Sequence, residues 1–151
     1  MTTNPTKQDI RVRAAVYDSA ISTGLPPKVK HLAGVLSLDE ASVRASFERL
    51  AAARVLVLQK DSREVLMANP FSAVPTSFAV ILDGMLCYGN CIWDALGIPA
   101  MLGRDALIRS SCACCGDAME LSVSAGSLEP VDATIHFAVP VRRWWQDIVY
   151  T

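Results

Sequence analysis

The sequence predicts an α+β protein, in which a helical module precedes a small domain built on a mixed or antiparallel sheet. Apolar residues recur at helical spacing through the first third of the chain, and short apolar runs punctuated by Pro and Gly follow. A chain of 151 residues with 52% hydrophobic and 19% charged residues can bury a core, so it is not a disordered chain. The charge also divides: residues 1–68 carry a net +3 and residues 69–151 a net −4, which predicts two domains with these bounds.

The overall charge and the polar N-terminus exclude several classes of protein. A net charge of −1 argues against electrostatic binding of nucleic acid or of a membrane surface by the whole chain. The longest charge-free stretch, residues 65–82, contains Pro70 and Pro75 and several polar residues, so we expect no membrane span. The first residues lack the apolar core of a signal peptide, and we therefore expect a cytoplasmic protein.

Three helices are predicted in the first half. The first has an apolar stripe at i, i+4, i+7 and i+11, formed by Ile10, Ala14, Tyr17 and Ile21. The second has an apolar face formed by Val29, Leu32, Ala33 and Leu36. Ser37 and Glu40 have the spacing of a capping box, which would begin the third helix. That helix would bury Val43, Phe47 and Leu50.

A hairpin is predicted directly after the third helix. Apolar residues at 55–58 and 65–67 flank the polar turn 60–63. Three helices and a hairpin describe a winged helix-turn-helix over residues 1–68, whose third helix, 39–53, would enter the DNA major groove. Acidic residues interrupt the basic ones on that helix, so DNA binding is the weaker interpretation. The alternative is a helical module that packs on the second half or forms a homodimer.

The second half reads mainly as sheet. An apolar strand is predicted at 78–82, and a helix from about Asn90 ends at Gly97 and Pro99. Further strands are predicted at 106–109, 119–123 and 134–139, the last from its alternating apolar and polar residues.

Cys91 and Asp94 form a candidate reactive pair. The two residues are three positions apart, so on a helix their side chains lie on one face and can reach one ligand. A thiolate is a ligand for a soft metal, and a carboxyl group whose pKa is raised by apolar neighbours donates protons near neutral pH. The alternative interpretation is a buried structural cysteine beside a surface aspartate.

The order and spacing of several segments resemble the organomercurial (alkylmercury) lyase family. The segments are Pro70-Phe71-Ser72, Pro75-Thr76, Cys91-x-x-Asp94 with Leu96, Pro99-Ala100-Met101-Leu102-Gly103, Cys112, Glu129-Pro130 and Phe137-x-x-Pro140. That family also carries an N-terminal winged-helix-like module, so the resemblance covers nearly the whole chain. It implies a small sheet domain of alkylmercury-lyase type over residues 69–151.

The resemblance also implies an activity, protonolysis of a carbon–mercury bond. Cys91 is similar to the family's first catalytic cysteine, Asp94 to its catalytic carboxylate, and Cys112 to a cysteine regarded as structural. Thiolates would attack mercury while the carboxyl protonates the departing carbanion, so that a hydrocarbon leaves and Hg(II) stays on sulfur. The partners implied are an organomercurial small molecule and small thiols, with no cofactor required. The family's second catalytic cysteine would fall at or just past Thr151, and no residue of the sequence matches it.

The remaining cysteines suggest a metal site. All five cysteines lie between residues 87 and 115, and an odd number of thiols favours reactive or metal-binding roles over disulfides. Cys112, Cys114 and Cys115 form a tight cluster, and Cys87 with Cys91 would complete a four-thiolate structural zinc set with Cys112 and Cys115. Free thiols that capture mercury and inert packing are the alternatives. The alternative function is accordingly a non-enzymatic thiolate protein that binds zinc or mercury, or a metal-responsive DNA-binding regulator on a lyase-like scaffold.

Overall fold

The computed structural model describes residues 5–149, which form helices and antiparallel sheets. The helices are α1 (Lys7–Thr23), α2 (Val29–Leu36), α3 (Glu40–Ala52) and α4 (Ile92–Leu102), with a 3-10 helix at Val141–Gln146. The strands are β1 (Val57–Leu58), β2 (Val65–Ala68), β3 (Phe71–Ser72), β4 (Ala79–Leu82), β5 (Met85–Tyr88), β6 (Ala106–Ser111), β7 (Ala118–Ser124) and β8 (Ser127–Leu128). No helix within this part of the chain combines the length and apolar character needed to cross a bilayer.

Two antiparallel sheets organise the strands. One has the order β1-β2-β3, and the other has the order β5-β4-β6-β7-β8. In the larger sheet β4 lies between β5 and β6. Its residue Val80 is opposite Cys87 of β5 on one side and Ile108 of β6 on the other. A bridge between Phe71 and Gly89 connects the end of the smaller sheet to the chain that follows β5. The predicted α+β class is thus confirmed, with antiparallel pairing throughout the described strands.

The first hydrophobic cluster lies among α1, α2, α3 and the first hairpin. The α2 and α3 residues predicted to be buried are buried, except Leu36, which is half-buried against the cluster. Half of the predicted stripe on α1 is wrong, because Ile10 and Ala14 are exposed and the fully buried apolar positions are Val12, Val16 and Ala20. Tyr17 packs against both clusters and Ile21 against the second, since α1 lies between the two cores.

The cap of α3 also differs from the prediction. Asp39 is the N-cap, and its carboxylate accepts a hydrogen bond of 2.7 Å from the backbone N–H of Ser42. Ser37 instead ends α2 in the left-handed conformation, so it cannot form a capping box with Glu40. A capping box is present at the start of α1, between Thr6 and Asp9.

The second cluster joins the larger sheet, α4, one residue of α1 and one residue of β3. Its buried members are Ala20, Phe71, Val80, Leu82, Cys87, Ala95, Ile98, Ile108, Leu121 and Val123. Gly24 follows α1 where it meets β5, and a Cβ there would lie 2.2 Å from the carbonyl oxygen of Leu86. Only glycine allows the two backbones to approach this closely.

Two short hairpins were missed in the sequence. Asp83 and Gly84 both have positive φ and connect β4 to β5 as a two-residue turn, the geometry that Asp-Gly favours. Ala125 and Gly126 connect β7 to β8 in the same way. β3 also went unpredicted, because two residues are too short for an alternation pattern.

The predicted strand at 134–139 is wrong. These residues pair with no strand of the described chain, and most of them are exposed. The segment runs instead as extended chain along a cavity beside the larger sheet.

Candidate active site

The start of α4 brings Cys91 and Asp94 together. Cys91 is the N-cap of the helix, with extended backbone, and its sulfur accepts a hydrogen bond of 3.4 Å from the backbone N–H of Asp94. Cysteine thus occupies the place that Ser, Thr, Asp or Asn usually takes at a helix start. The same geometry places a sulfur against the positive end of the helix, which favours its thiolate.

Burial sets the electrostatics of this pair. Both side chains are half-buried. Burial raises the pKa of the Asp94 carboxyl, and the hydrogen bonds from Asn90 oppose this by favouring the charged form. Burial also raises the pKa of the Cys91 thiol, whereas the backbone N–H of Asp94 lowers it. The Asp94 carboxyl group is therefore a better proton donor near neutral pH than an exposed aspartic acid.

Asn90 holds Asp94 in place. Its side-chain nitrogen donates to Asp94 Oδ2 at 2.9 Å, to Asn69 Oδ1 at 3.0 Å and to the Pro70 carbonyl at 3.2 Å. Its side-chain oxygen is buried and has no hydrogen-bond partner among the described residues. The sequence interpretation missed Asn90, although its i, i+4 spacing to Asp94 on a helix start was a usable signal.

Tyr17 of α1 connects the helical module to this site. Its hydroxyl donates to the Asn69 carbonyl at 3.0 Å. Burial raises the pKa of Tyr17, Arg13 lowers it, and the nearby Asp94 carboxylate raises it further. No sequence signal links Tyr17 to Asp94, because only tertiary packing brings α1 to the start of α4.

A cavity of about 1120 Å³ opens beside Cys91. Its wall includes Cys91, Cys112 and Cys114, together with Leu96 and residues 131–139. Asp94 does not line the cavity. Its carboxylate accepts a hydrogen bond from the Asn90 side chain. The cavity is mostly apolar and has room for a small organic molecule.

An aromatic cluster covers part of the cavity. Phe137 lies between Trp93 of α4 and Trp144 of the 3-10 helix, with ring centroids 6.0 Å and 5.3 Å away. The Trp144 indole N–H donates to the Val139 carbonyl at 2.9 Å. These contacts tie the end of segment 131–139 to α4 and to the 3-10 helix.

Cys112 and Cys115 lie on the turn between β6 and β7, residues 112–117, here called the thiol turn. The backbone N–H groups of Cys115 and Cys114 and the Cys115 thiol lower the pKa of Cys112. For Cys115 the N–H of Asp117 lowers the pKa, but the Asp117 side chain and Cys112 outweigh it, so the pKa is raised. The Cys115 thiol donates to Asp117 Oδ2 at 3.1 Å.

The predicted four-thiolate zinc set is not assembled. Cys87 is fully buried in the second core, where burial raises the pKa of its thiol to about 11. Within residues 5–149 the structure holds no group of three or more His, Cys, Asp or Glu side chains placed to bind one metal ion. Cys87 is thus a core residue, separated from the cysteines of the thiol turn.

Three arginines of α3 and the first hairpin are engaged with carboxylates. Arg49 pairs with Asp9 at 2.7 Å, and Arg63 pairs with Glu48. Arg44 lies 3.8 Å from Glu64. Groups that are paired within the chain are less available to DNA phosphates, which weakens the DNA-binding interpretation.

Comparison with known proteins shows which family this chain is similar to. The alkylmercury lyase (MerB) family model matches residues 71–151. Alkylmercury lyases of Streptomyces lividans and Bacillus cereus are 31% and 33% identical to this chain over 83 residues, or 53% of it. These matches cover 39% and 38% of the relatives, so the matched segment spans about two fifths of their length.

A solved structure has a similar fold. The crystal structure of the mercury-bound form of MerB2 aligns with 84% of this chain and 61% of its own, at a TM-score of 0.65 and 23% identity. The arrangement of helices and antiparallel sheets described above is thus shared with that protein.

Proposed function

This chain belongs to the alkylmercury lyase family, and we propose that it cleaves carbon–mercury bonds by protonolysis with Cys91 and Asp94 as catalytic residues. The observation that carries the proposal is the placement of the Cys91 sulfur at the start of α4, on a mainly apolar cavity and 3.4 Å from the backbone nitrogen of Asp94. A soft thiolate and a proton donor are the two groups that this reaction requires.

The reaction begins with sulfur. The Cys91 thiolate attacks the mercury of an organomercurial and displaces its weakest ligand. A small thiol supplies a second sulfur, which weakens the bond between mercury and carbon. The backbone N–H of Asp94 stabilises the Cys91 thiolate before the attack.

The second step is proton transfer. The electron pair of the carbon–mercury bond takes the proton of the Asp94 carboxyl, so a hydrocarbon leaves and Hg(II) remains on sulfur. Burial supports this role, because it raises the pKa of Asp94 and keeps a larger share of the carboxyl protonated. Asp94 does not line the cavity, so the carbon bonded to mercury would lie at the cavity edge, over the first turn of α4, with the rest of the organic group inside the cavity.

The cavity supports an organic substrate. Its apolar wall accommodates an alkyl or aryl group, while Cys91 binds the metal end. Five free cysteines in the structure favour a reducing compartment, so we propose that the protein works in the cytoplasm together with small cellular thiols.

We assign the N-terminal helices and first hairpin to a winged-helix-like scaffold. Ala20 is buried in the second core, and Tyr17 bonds to the Asn69 carbonyl beside the site. This packing and the paired arginines favour a structural role for the module, which stabilises the site. They do not favour a DNA-binding regulator.

The test is anaerobic incubation of the reduced, metal-free protein with methylmercury and excess small thiol, following methane. We expect methane release to fall by about 100-fold or more in Cys91→Ser and in Asp94→Ala. Asp83→Asn, an exposed carboxylate outside the site, is the matched control and should keep wild-type release. Mercury uptake without methane in the wild-type protein would instead identify a thiolate binder.

A further inference from the structure

We propose that Cys112 and Cys115 form a second mercury site, in which the two sulfurs of the thiol turn clamp one Hg(II) ion. The assignment of this ion as the product released from Cys91 rests on the proposed function. The site itself does not, because it needs only Hg(II) and two thiolates.

The backbone of the thiol turn places Cys112 and Cys115 on one tight reversal of the chain. The Cys112 N–H donates to the Asp117 carbonyl, and the Gly116 N–H donates to the Cys112 carbonyl, each at 2.8 Å. Gly116 has a φ of 78°, a left-handed conformation that suits glycine and lets the chain reverse. The Cys115 thiol donates to Asp117 Oδ2 at 3.1 Å, which ties this side chain to the same turn. The two cysteines therefore lie on one short, hydrogen-bonded turn.

The number of ligands favours mercury over zinc. Structural zinc sites use four ligands, and no third His, Cys, Asp or Glu of the described chain joins this pair in a metal-binding group. Hg(II) is a soft d¹⁰ ion that two thiolates satisfy in a linear arrangement. Cys112 is half-buried and Cys115 is exposed, so an incoming ion can reach both sulfurs.

The thiol turn also shares a cavity with the candidate catalytic cysteine. Cys112 and Cys91 both line it, so an ion on Cys91 can be passed across it. Cys115 lies outside the lining, at the solvent side of the turn. An ion held by Cys112 and Cys115 therefore leaves the Cys91 thiol free for another substrate.

The transfer is an exchange of thiolate ligands and needs no oxidant. Mercury starts on Cys91 and a small thiolate. The Cys112 thiolate forms one Hg–S bond and displaces the small thiolate. Cys115 then gives its proton to the Asp117 carboxylate that accepts its hydrogen bond, forms the second Hg–S bond and displaces Cys91, which takes a proton from water. Two Hg–S bonds form and two break.

The test is titration of the protein with mercuric chloride against a competing small thiol, following the ultraviolet absorption of the Hg–S bonds. All arms use Cys91→Ser as background, which isolates the thiol turn. We expect this variant to retain one Hg(II) per chain. Adding Cys112→Ser or Cys115→Ser should weaken binding by at least tenfold, whereas Cys114→Ser, the matched control, should not. Circular dichroism establishes that each variant is folded.

Two results would overturn the site. One is loss of Hg(II) binding in the Cys91→Ser background, and the other is equal weakening by Cys114→Ser and Cys115→Ser. Binding of Zn²⁺ as tight as that of Hg(II) would overturn the two-coordinate assignment. These outcomes do not depend on methane release, so failure of the lyase proposal is recognised separately.

The transfer is tested by alkylating the wild-type protein after one turnover of methylmercury and mapping the labelled peptides by mass spectrometry. We expect Cys112 and Cys115 to be protected by mercury and Cys91 to be labelled. Methane release with protection of Cys91 alone would show cleavage without transfer and would overturn this role of the thiol turn.

Discussion

The side-chain nitrogen of Asn90 donates a hydrogen bond of 2.9 Å to Oδ2 of Asp94. The same nitrogen donates to the Pro70 carbonyl, which can only accept, so this contact fixes which end of the amide faces the carboxylate. Asn90 thereby positions Asp94 and moderates the effect of burial on its charge.

Replacing Asn90 should shift the pH profile of the proposed carbon–mercury cleavage. In Asn90→Ala the hydrogen bond that favours charged Asp94 is lost while burial remains, so the pKa of Asp94 should rise further. The limb where kcat falls with rising pH should move to higher pH, and kcat at its maximum should fall about tenfold because the carboxyl is no longer oriented. Asn69→Ala is the control: the Asn90 amide still donates to Asp94, so the falling limb of the pH profile should stay at its wild-type pH. An unmoved limb in Asn90→Ala would contradict this role.

The cysteines should differ in their reaction with iodoacetamide at neutral pH. Cys112 should react faster than Cys91, because hydrogen bonds lower the pKa of Cys112 whereas burial raises that of Cys91. Cys87 should be slowest, with a pKa of about 11 and no exposed surface. Peptide mapping over a time course gives the three rates. The differences should disappear in guanidinium; rates that were already equal in the folded protein would be inconsistent with these environments.

Loosening the aromatic cluster should open the cavity. Phe137→Ala removes the ring between Trp93 and Trp144, contacts worth about 1 kcal/mol each. Residues 131–139 should then lie less closely over the cavity, so Cys91 should alkylate several-fold faster and KM for organomercurials should rise. Val141→Ala, at a side chain that is 62% exposed, is the control and should change neither value. A Phe137→Ala protein with wild-type alkylation would rule out a covering role.

Adding one methyl group at Gly24 should separate α1 from β5. A Cβ would lie 2.2 Å from the Leu86 carbonyl oxygen, and the φ of 83° is unfavourable for alanine. Gly24→Ala should therefore lower the free energy of unfolding by about 2 kcal/mol, measured in urea. Gly34→Ala is the control, because the helical Gly34 has open space around it and alanine there should stabilise the protein by about 0.5 kcal/mol.

The Arg49–Asp9 pair should stabilise the fold in a pH-dependent way. Arg49→Ala leaves the fully buried Asp9 carboxylate unpaired, which should cost about 3 kcal/mol near neutral pH. Arg49 holds the pKa of Asp9 far below its ordinary 3.8, so its contribution is present above that pH and disappears as the pH falls. The stability difference between the variant and the wild type, from urea unfolding, should therefore shrink in acid.

A surface pair provides the comparison for Arg49. Arg109 and Glu120 form an ion pair at 3.1 Å, but both side chains are more than half exposed. Arg109→Ala should cost less than about 0.5 kcal/mol, because solvent screens such pairs. Equal costs for Arg49→Ala and Arg109→Ala would mean that burial of Asp9 adds nothing.

Local patterns predicted most of the helices and strands. The apolar faces of α2 and α3 and the hairpin of β1 and β2 follow from residue spacing and turn composition. The errors fall where local pattern and packing disagree. Residues 134–139 alternate like a strand but pair with no strand of residues 5–149. Helix α1 contributes to two cores, which its predicted stripe could not indicate.

The sequence by itself determined the chemistry available to this protein. The spacing of Cys91 and Asp94 on one helix start, the Cys112-x-x-Cys115 turn and the family resemblance are all local or ordered along the chain. Tertiary structure decided which groups work together: it placed Cys91 and Cys112 on one cavity, removed Cys87 into the core and brought Tyr17 to the Asn69–Asp94 region. The physical reason is that burial and hydrogen bonding, which set pKa and access, come from residues distant in sequence.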